Sequence, residues 1–163
     1  MRVLVLTGPP AVGKTSVGRL LAGTRRRGAL VDIDDVRHMV VAGHAAPWDG
    51  DEGRRQQRLG VVNGCAVAGT FTANGIDVVI VDVLTDQTAG LYRQLLRDPL
   101  IVQLTAAYDE AVRRAHTREI HLTRDEFRRL HDEQGRLTAF DHRIDTTDLS
   151  PDRTVAELAR VWG

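Results

Sequence analysis

The residues best suited to chemistry come early, at Gly8-Pro9-Pro10-Ala11-Val12-Gly13-Lys14-Thr15. Their spacing is G-x-x-x-x-G-K-[ST], the phosphate-binding P-loop pattern. Its glycines let the backbone curl so that N–H groups converge on phosphate oxygens. A helix starting near Lys14 adds the positive end of its dipole. Lys14 is then set to reach the β- and γ-phosphates of ATP, the Thr15 hydroxyl to ligate Mg²⁺, and Ser16 to sit in the same turn. Of 22 basic residues only Lys14 is a lysine. A compact ammonium suits that slot better than a forked guanidinium.

A second group follows in Val31-Asp32-Ile33-Asp34-Asp35-Val36-Arg37. Transfer of a phosphoryl group to an alcohol needs a carboxylate that orients the hydroxyl and accepts its proton. It also needs a cation to steady the developing charge. Asp34 is the candidate base, Asp32 the candidate for Mg²⁺ and its waters, and Asp35 and Arg37 candidates for substrate. Asp34 or Asp35 could equally cap the next helix. Asp82 ends the apolar run Val78–Val83, where a carboxylate can hold Mg²⁺ through water or touch substrate. Thr85 and Asp86 follow, for substrate or for a cap. Arg114 and Arg118 are spaced i, i+4 and share a helix face; Arg124, Arg128 and Arg129 read as solvated surface. Trp48, in a Gly43–Gly53 loop with His44, Pro47, Asp49 and Asp51, could stack on a ring, with Arg58 and Asn63 facing the same space. The six histidines show no zinc spacing.

These residues need elements to hold them. Short apolar runs alternate with helical patterns: strands at Arg2–Thr7, Ala29–Ile33, Ile76–Leu84, Leu100–Leu104 and Arg143–Asp145. Helices are expected at Lys14–Arg25, Val36–Ala42, Arg54–Thr72, Thr88–Arg97, Asp109–Arg118 and Arg124–Gln134, with a last one from Pro151 capped by Ser150. Gly60, Gly64 and Gly69 weaken the third of these. The alternation predicts an α/β fold, a mostly parallel five-stranded sheet covered on both faces. Ligands then bind beyond the carboxyl ends of the strands, where the candidate residues fall.

With 163 residues, 42% hydrophobic and 27% charged, the chain suits one globular domain spanning 1–163. Acidic and basic residues balance at 22 each and aromatics are 4%, which argues against a long nucleic-acid groove. No apolar run reaches membrane-spanning length. The lone Cys65 fits a reducing, cytoplasmic setting and a small core position.

The P-loop, the VDIDDVR stretch and the later arginines resemble the small P-loop kinases, in their polynucleotide-kinase-like, chloramphenicol-phosphotransferase-like and shikimate-kinase-like branches. The resemblance implies a three-layer α/β/α fold with a small helical lid near 108–134. It implies ATP and Mg²⁺ as cofactors and a small-molecule hydroxyl as acceptor. It puts the base on Asp34, the polynucleotide-kinase arginine on Arg37, and lid arginines on Arg114 and Arg118. It also places residues 145–148 beside the adenine. A 5′-hydroxyl nucleic-acid kinase and a non-catalytic nucleotide-binding regulator are the alternatives.

Overall fold

The structure is a computed structural model that describes residues 1–116 and 122–163. Five strands, β1 (Val3–Thr7), β2 (Gly28–Asp32), β3 (Asp77–Val81), β4 (Leu100–Thr105) and β5 (His142–Asp145), form one sheet in the order β2-β3-β1-β4-β5. Every neighbouring pair is parallel, so the sheet is wholly rather than mostly parallel.

The apolar continuity of the strands follows from burial on both faces. In β1, Val3 and Val5 pack with Val61, Cys65 and Tyr92, while Leu4 and Leu6 pack with Leu21, Leu158 and Trp162. The first group lies under α3 (Gly50–Ala73) and α4 (Asp86–Leu95), the second under α1 (Lys14–Gly23) and α7 (Pro151–Trp162). Each such leucine or valine contributes about 1.5–3 kcal/mol by leaving water. Three layers result, and all five strands end at one edge.

The second and third helices differ most from expectation, and α4 runs Asp86–Leu95 rather than 88–97. α2 covers Ile33–His38 rather than 36–42, and its cap is Asp32, whose carboxylate accepts a hydrogen bond from the Asp34 amide. The cap position needs extended backbone, which Asp32 has as the last residue of β2. α3 starts at Gly50, with Asp51 and Glu52 in its first turn, where acids suit the helix dipole. Two of its glycines, Gly60 and Gly64, prove to be contact sites for α2. A Cβ on Gly64 would stand 2.3 Å from Ile33 Cδ1, and one on Gly60 2.9 Å from Arg37 Cγ. Helix propensity yields there to the close approach of α2.

Two further helices, α5 (Tyr108–Ala115) and α6 (Arg124–Gly135), sit at the carboxyl edge of the sheet. A buried polar network docks α6. Gln134 donates to the Leu84 carbonyl at 2.7 Å and accepts from Thr7 at 3.2 Å, while Gln103 donates to its carbonyl at 2.6 Å. Tyr108 meets the rings of Phe127 and His131 edge-on, which joins α5 to α6. No helix among the described residues is long and apolar enough to cross a membrane.

Candidate active site

The loop between β1 and α1 can take its shape because of two residues that need glycine. Gly8 has φ +141°, and a Cβ there would lie 2.1 Å from the Leu104 carbonyl oxygen. Gly13, at φ +93°, is the N-cap of α1 and brings no side chain to cap the helix. Ala11 also holds a positive φ of 64°, a local strain of the kind that phosphate loops carry. Lys14 folds back along the loop, and Nζ donates to the Gly8 and Pro9 carbonyls at 2.8 Å each. Burial lowers its ammonium from 10.5 to about 8, although Asp34, Asp32 and Asp82 pull the other way.

The acidic group is joined to this loop directly. Thr15 donates to Asp32 at 3.0 Å. Burial raises the Asp32 carboxyl, against the hydrogen bonds it accepts from the Asp34 amide and Thr15. Arg37 hydrogen-bonds Asp34 within the first turns of α2. Its other nitrogen, Nη1, lies 3.7 Å from Asp82 Oδ1 and, though buried, has no hydrogen-bond partner. Asp82 is itself buried just past β3, accepting from the Tyr92 hydroxyl at 3.0 Å and the Val83 amide at 2.8 Å. Burial pushes its carboxyl up to about 6, opposed by Arg37 and by the Tyr92 hydrogen bond.

Two cavities meet at the loop. The larger, about 960 Å³, is lined by Lys14, Thr15, Asp34, Arg37, Trp48 and Asp82, together with Thr85, Asp86 and residues of α6. The smaller, about 480 Å³, is lined by Ala11, Val12, Gly13, Ser16, Arg114 and the segment from Thr146 to Pro151. Both touch Ala11 and Gly13, so the phosphate loop is their shared wall.

The structure therefore brings together Lys14, Thr15, Asp34, Arg37, Trp48 and Asp82 around one space. Asp32 stands behind Thr15, and Pro10 lines the larger cavity. Asp35 is exposed and lines neither cavity. Arg114 is on the smaller cavity, where it donates to Glu110 at 2.6 Å and to the Thr146 carbonyl at 2.7 Å. Arg118 lies outside the described residues. Arg58 and Asn63 are exposed and line neither cavity; Gln57 faces the larger one instead. Arg129, expected at the surface, lines that cavity and sits 5.2 Å over the Trp48 ring. Arg136, His38 and Glu133 share its wall and were not foreseen. No local motif marks them: Glu133 and Arg136 reach the site only once α6 docks on the sheet, and His38 comes with the last residue of α2.

The chemistry of the donor set fits Mg²⁺. The Thr15 hydroxyl and Asp32 carboxylate give hard oxygen ligands beside the phosphate loop, and Mg²⁺ is commonly held by one or two such groups plus phosphate oxygens. Among the described residues no three His, Cys, Asp or Glu side chains gather into a metal cage.

No family model matches the chain, and no curated protein matches it. Solved structures do. The APS kinase of Mycobacterium tuberculosis, in complex with AMPPNP and APS, is similar with a TM-score of 0.72 at 19% identity, covering 99% of this chain and 96% of that one. Shikimate kinase from Acinetobacter baumannii, in complex with shikimate, gives 0.68 at 19% identity, covering 99% and 92%. The tunicamycin resistance protein of Deinococcus radiodurans gives 0.70 at 18% identity, covering 99% and 95%. At these identities the likeness establishes the fold, and that fold is the one of the P-loop kinases.

Proposed function

We propose that this chain is an ATP-dependent phosphotransferase that moves the γ-phosphoryl of ATP to a hydroxyl of a small molecule. The observation that carries this is the arrangement of Lys14 and Asp34 on one cavity, with a second cavity across the phosphate loop. One space suits an acceptor and the other a nucleoside, and the loop between them suits the phosphates.

In this assignment the backbone N–H groups of residues 11–15 bind the phosphates, and Lys14 exchanges its loop carbonyls for phosphate oxygens. Thr15 and Asp32 would hold Mg²⁺, with Asp82 behind Arg37; the ion would neutralise phosphate charge when bound. Asp34 orients the acceptor hydroxyl and takes its proton at a carboxylate oxygen. Arg37 holds that carboxylate in place. Arg114 tethers the 146–147 segment beside the nucleotide and contributes positive charge near the phosphates. The helices near 108–134 act as a lid that excludes water from the transfer. The whole chain works as one kinase domain.

The test is ADP release from Mg·ATP, with and without a panel of hydroxyl compounds and a 5′-hydroxyl oligonucleotide. Stimulation by a small molecule is expected, with turnover lost in Asp34→Asn while ATP still binds. Stimulation that survives in Asp34→Asn removes the base from that residue. Tight ATP binding with no stimulated turnover turns the assignment toward a regulator.

A further inference from the structure

Resting on the phosphotransferase assignment, we propose that the acceptor is a ring-bearing alcohol. Its apolar body packs against Trp48, and a hydrogen-bond-accepting oxygen beside the reacting hydroxyl is met by Arg37. Three observations lead there. First, beyond the Lys14–Asp34 end, the larger cavity has an apolar stretch of wall formed by Pro47, Trp48, Val83, Leu84, Leu130 and Leu137, with His38, His44, Gln57 and Arg136 elsewhere on its lining. Several polar groups on that wall are committed within the protein. Gln134 is bonded to Leu84 and Thr7, Asp86 accepts from Thr138 and Ala139, and Arg129 lies over Trp48 and 3.8 Å from Glu133. A polyol lying along that stretch would leave hydroxyls facing carbon, at a cost for each unmet group. An apolar ring loses nothing there.

Second, Arg37 offers one specific polar contact. Its side chain is only 10% exposed, and its buried Nη1 has no hydrogen-bond partner. The Asp82 oxygen 3.7 Å away supplies charge but no hydrogen bond. Asp34 is bonded to the other Nη of the same guanidinium. An oxygen that meets Nη1 therefore sits within a few bonds of a hydroxyl engaged by Asp34. Third, about 960 Å³ is near the upper end for sites that enclose drug-sized ligands, far beyond a three-carbon alcohol. Trp48 is the sole Trp, Tyr or Phe among the described lining residues, whereas strand binding uses successive stacking platforms.

The experiment uses the full chain with Mg·ATP and four probes. Mandelamide carries a ring, a hydroxyl and a neighbouring amide carbonyl. 1-Phenylethanol lacks the carbonyl, glucose lacks the apolar ring, and a 5′-hydroxyl oligonucleotide represents a strand. Mandelamide is expected to stimulate ADP release with kcat/KM at least about ten-fold above 1-phenylethanol and glucose. Arg37→Met should shrink the mandelamide advantage over 1-phenylethanol to within about two-fold. Trp48→Ala, at a half-exposed position that the fold tolerates, should raise the KM for mandelamide about ten-fold and spare the KM for ATP. Trp162 is buried in the core, so a fluorescence change on adding mandelamide that disappears in Trp48→Ala reports this cavity. Preference for glucose or the oligonucleotide keeps the kinase and overturns the acceptor class. Failure of mandelamide both to alter Trp48 fluorescence and to stimulate turnover also overturns it. A Trp48 response with no ADP release from any probe upholds the binding preference and overturns the transfer reaction.

Discussion

The phosphate loop and the larger cavity beside it draw on the chain in opposite ways. The loop is eight consecutive residues running from the end of one strand into the first turn of one helix, and its contacts are largely local, such as Lys14 to Gly8 and Pro9. The cavity draws on α2, the 43–49 loop, α3, the end of β3 and α6. Its key groups are held by distant ones: Arg37 by the space at Gly60, Asp82 by Tyr92, and Gln134 by Thr7 and Leu84. Under the proposed function, phosphate recognition would rest on backbone geometry, whereas acceptor recognition would rest on packing. A substitution in the first should act on every acceptor alike. One in the second should act on acceptors while leaving the nucleotide alone.

The largest effect should come from Lys14→Ala, with turnover falling at least about 100-fold for any acceptor. Steady-state kinetics with two unlike acceptors would check it, and a loss confined to one of them would break the contrast. Next is Gly64→Ala, where the new methyl meets Ile33 at the start of α2. About 1–3 kcal/mol of stability should be lost in urea unfolding, and the acceptor KM should rise more than the ATP KM. An equal rise in both would show that α2 serves the two sides together.

A smaller effect concerns Asp82. Its folded carboxyl is raised from 3.8 to about 6, chiefly by burial. The folded state therefore binds a proton more tightly than the unfolded chain. Stability from this group is present below about pH 4 and lost as pH rises through about 6. Urea midpoints across pH should show that limb in the native chain and not in Asp82→Asn. Tyr92→Phe removes a hydrogen bond that lowers the Asp82 carboxyl, so the limb should extend above pH 6, with a cost of about 1–2 kcal/mol. The smallest effect belongs to Lys14. Above pH 8 its amine has partly lost its proton in the free protein, and bound phosphates favour its return. ATP binding should then take up a fraction of a proton, and affinity should fall as pH climbs past 8. Calorimetry in two buffers of different ionisation enthalpy measures this, and no uptake would place the lysine outside the phosphate field.

The sequence by itself determined the parts governed by neighbouring residues. Apolar runs buried on two faces became the parallel strands, and the glycines and lysine of residues 8–15 became a strand–loop–helix turn, because backbone conformation there depends on local sterics. The acids at 32, 34 and 82 were legible because they lie at or just past the ends of strands, and parallel strands end at one edge. Tertiary structure alone decided the rest. Asp32 took the cap that Asp34 or Asp35 could have taken, because the last extended residue of β2 stood in the right backbone conformation. Two of the glycines that weaken α3 on propensity, Gly60 and Gly64, admit α2 instead. Arg129 reaches Trp48, Tyr92 holds Asp82, and Arg114 turns to Thr146 through contacts between residues far apart in the chain. Such contacts depend on how whole helices seat on the sheet, and no short stretch of sequence carries that information.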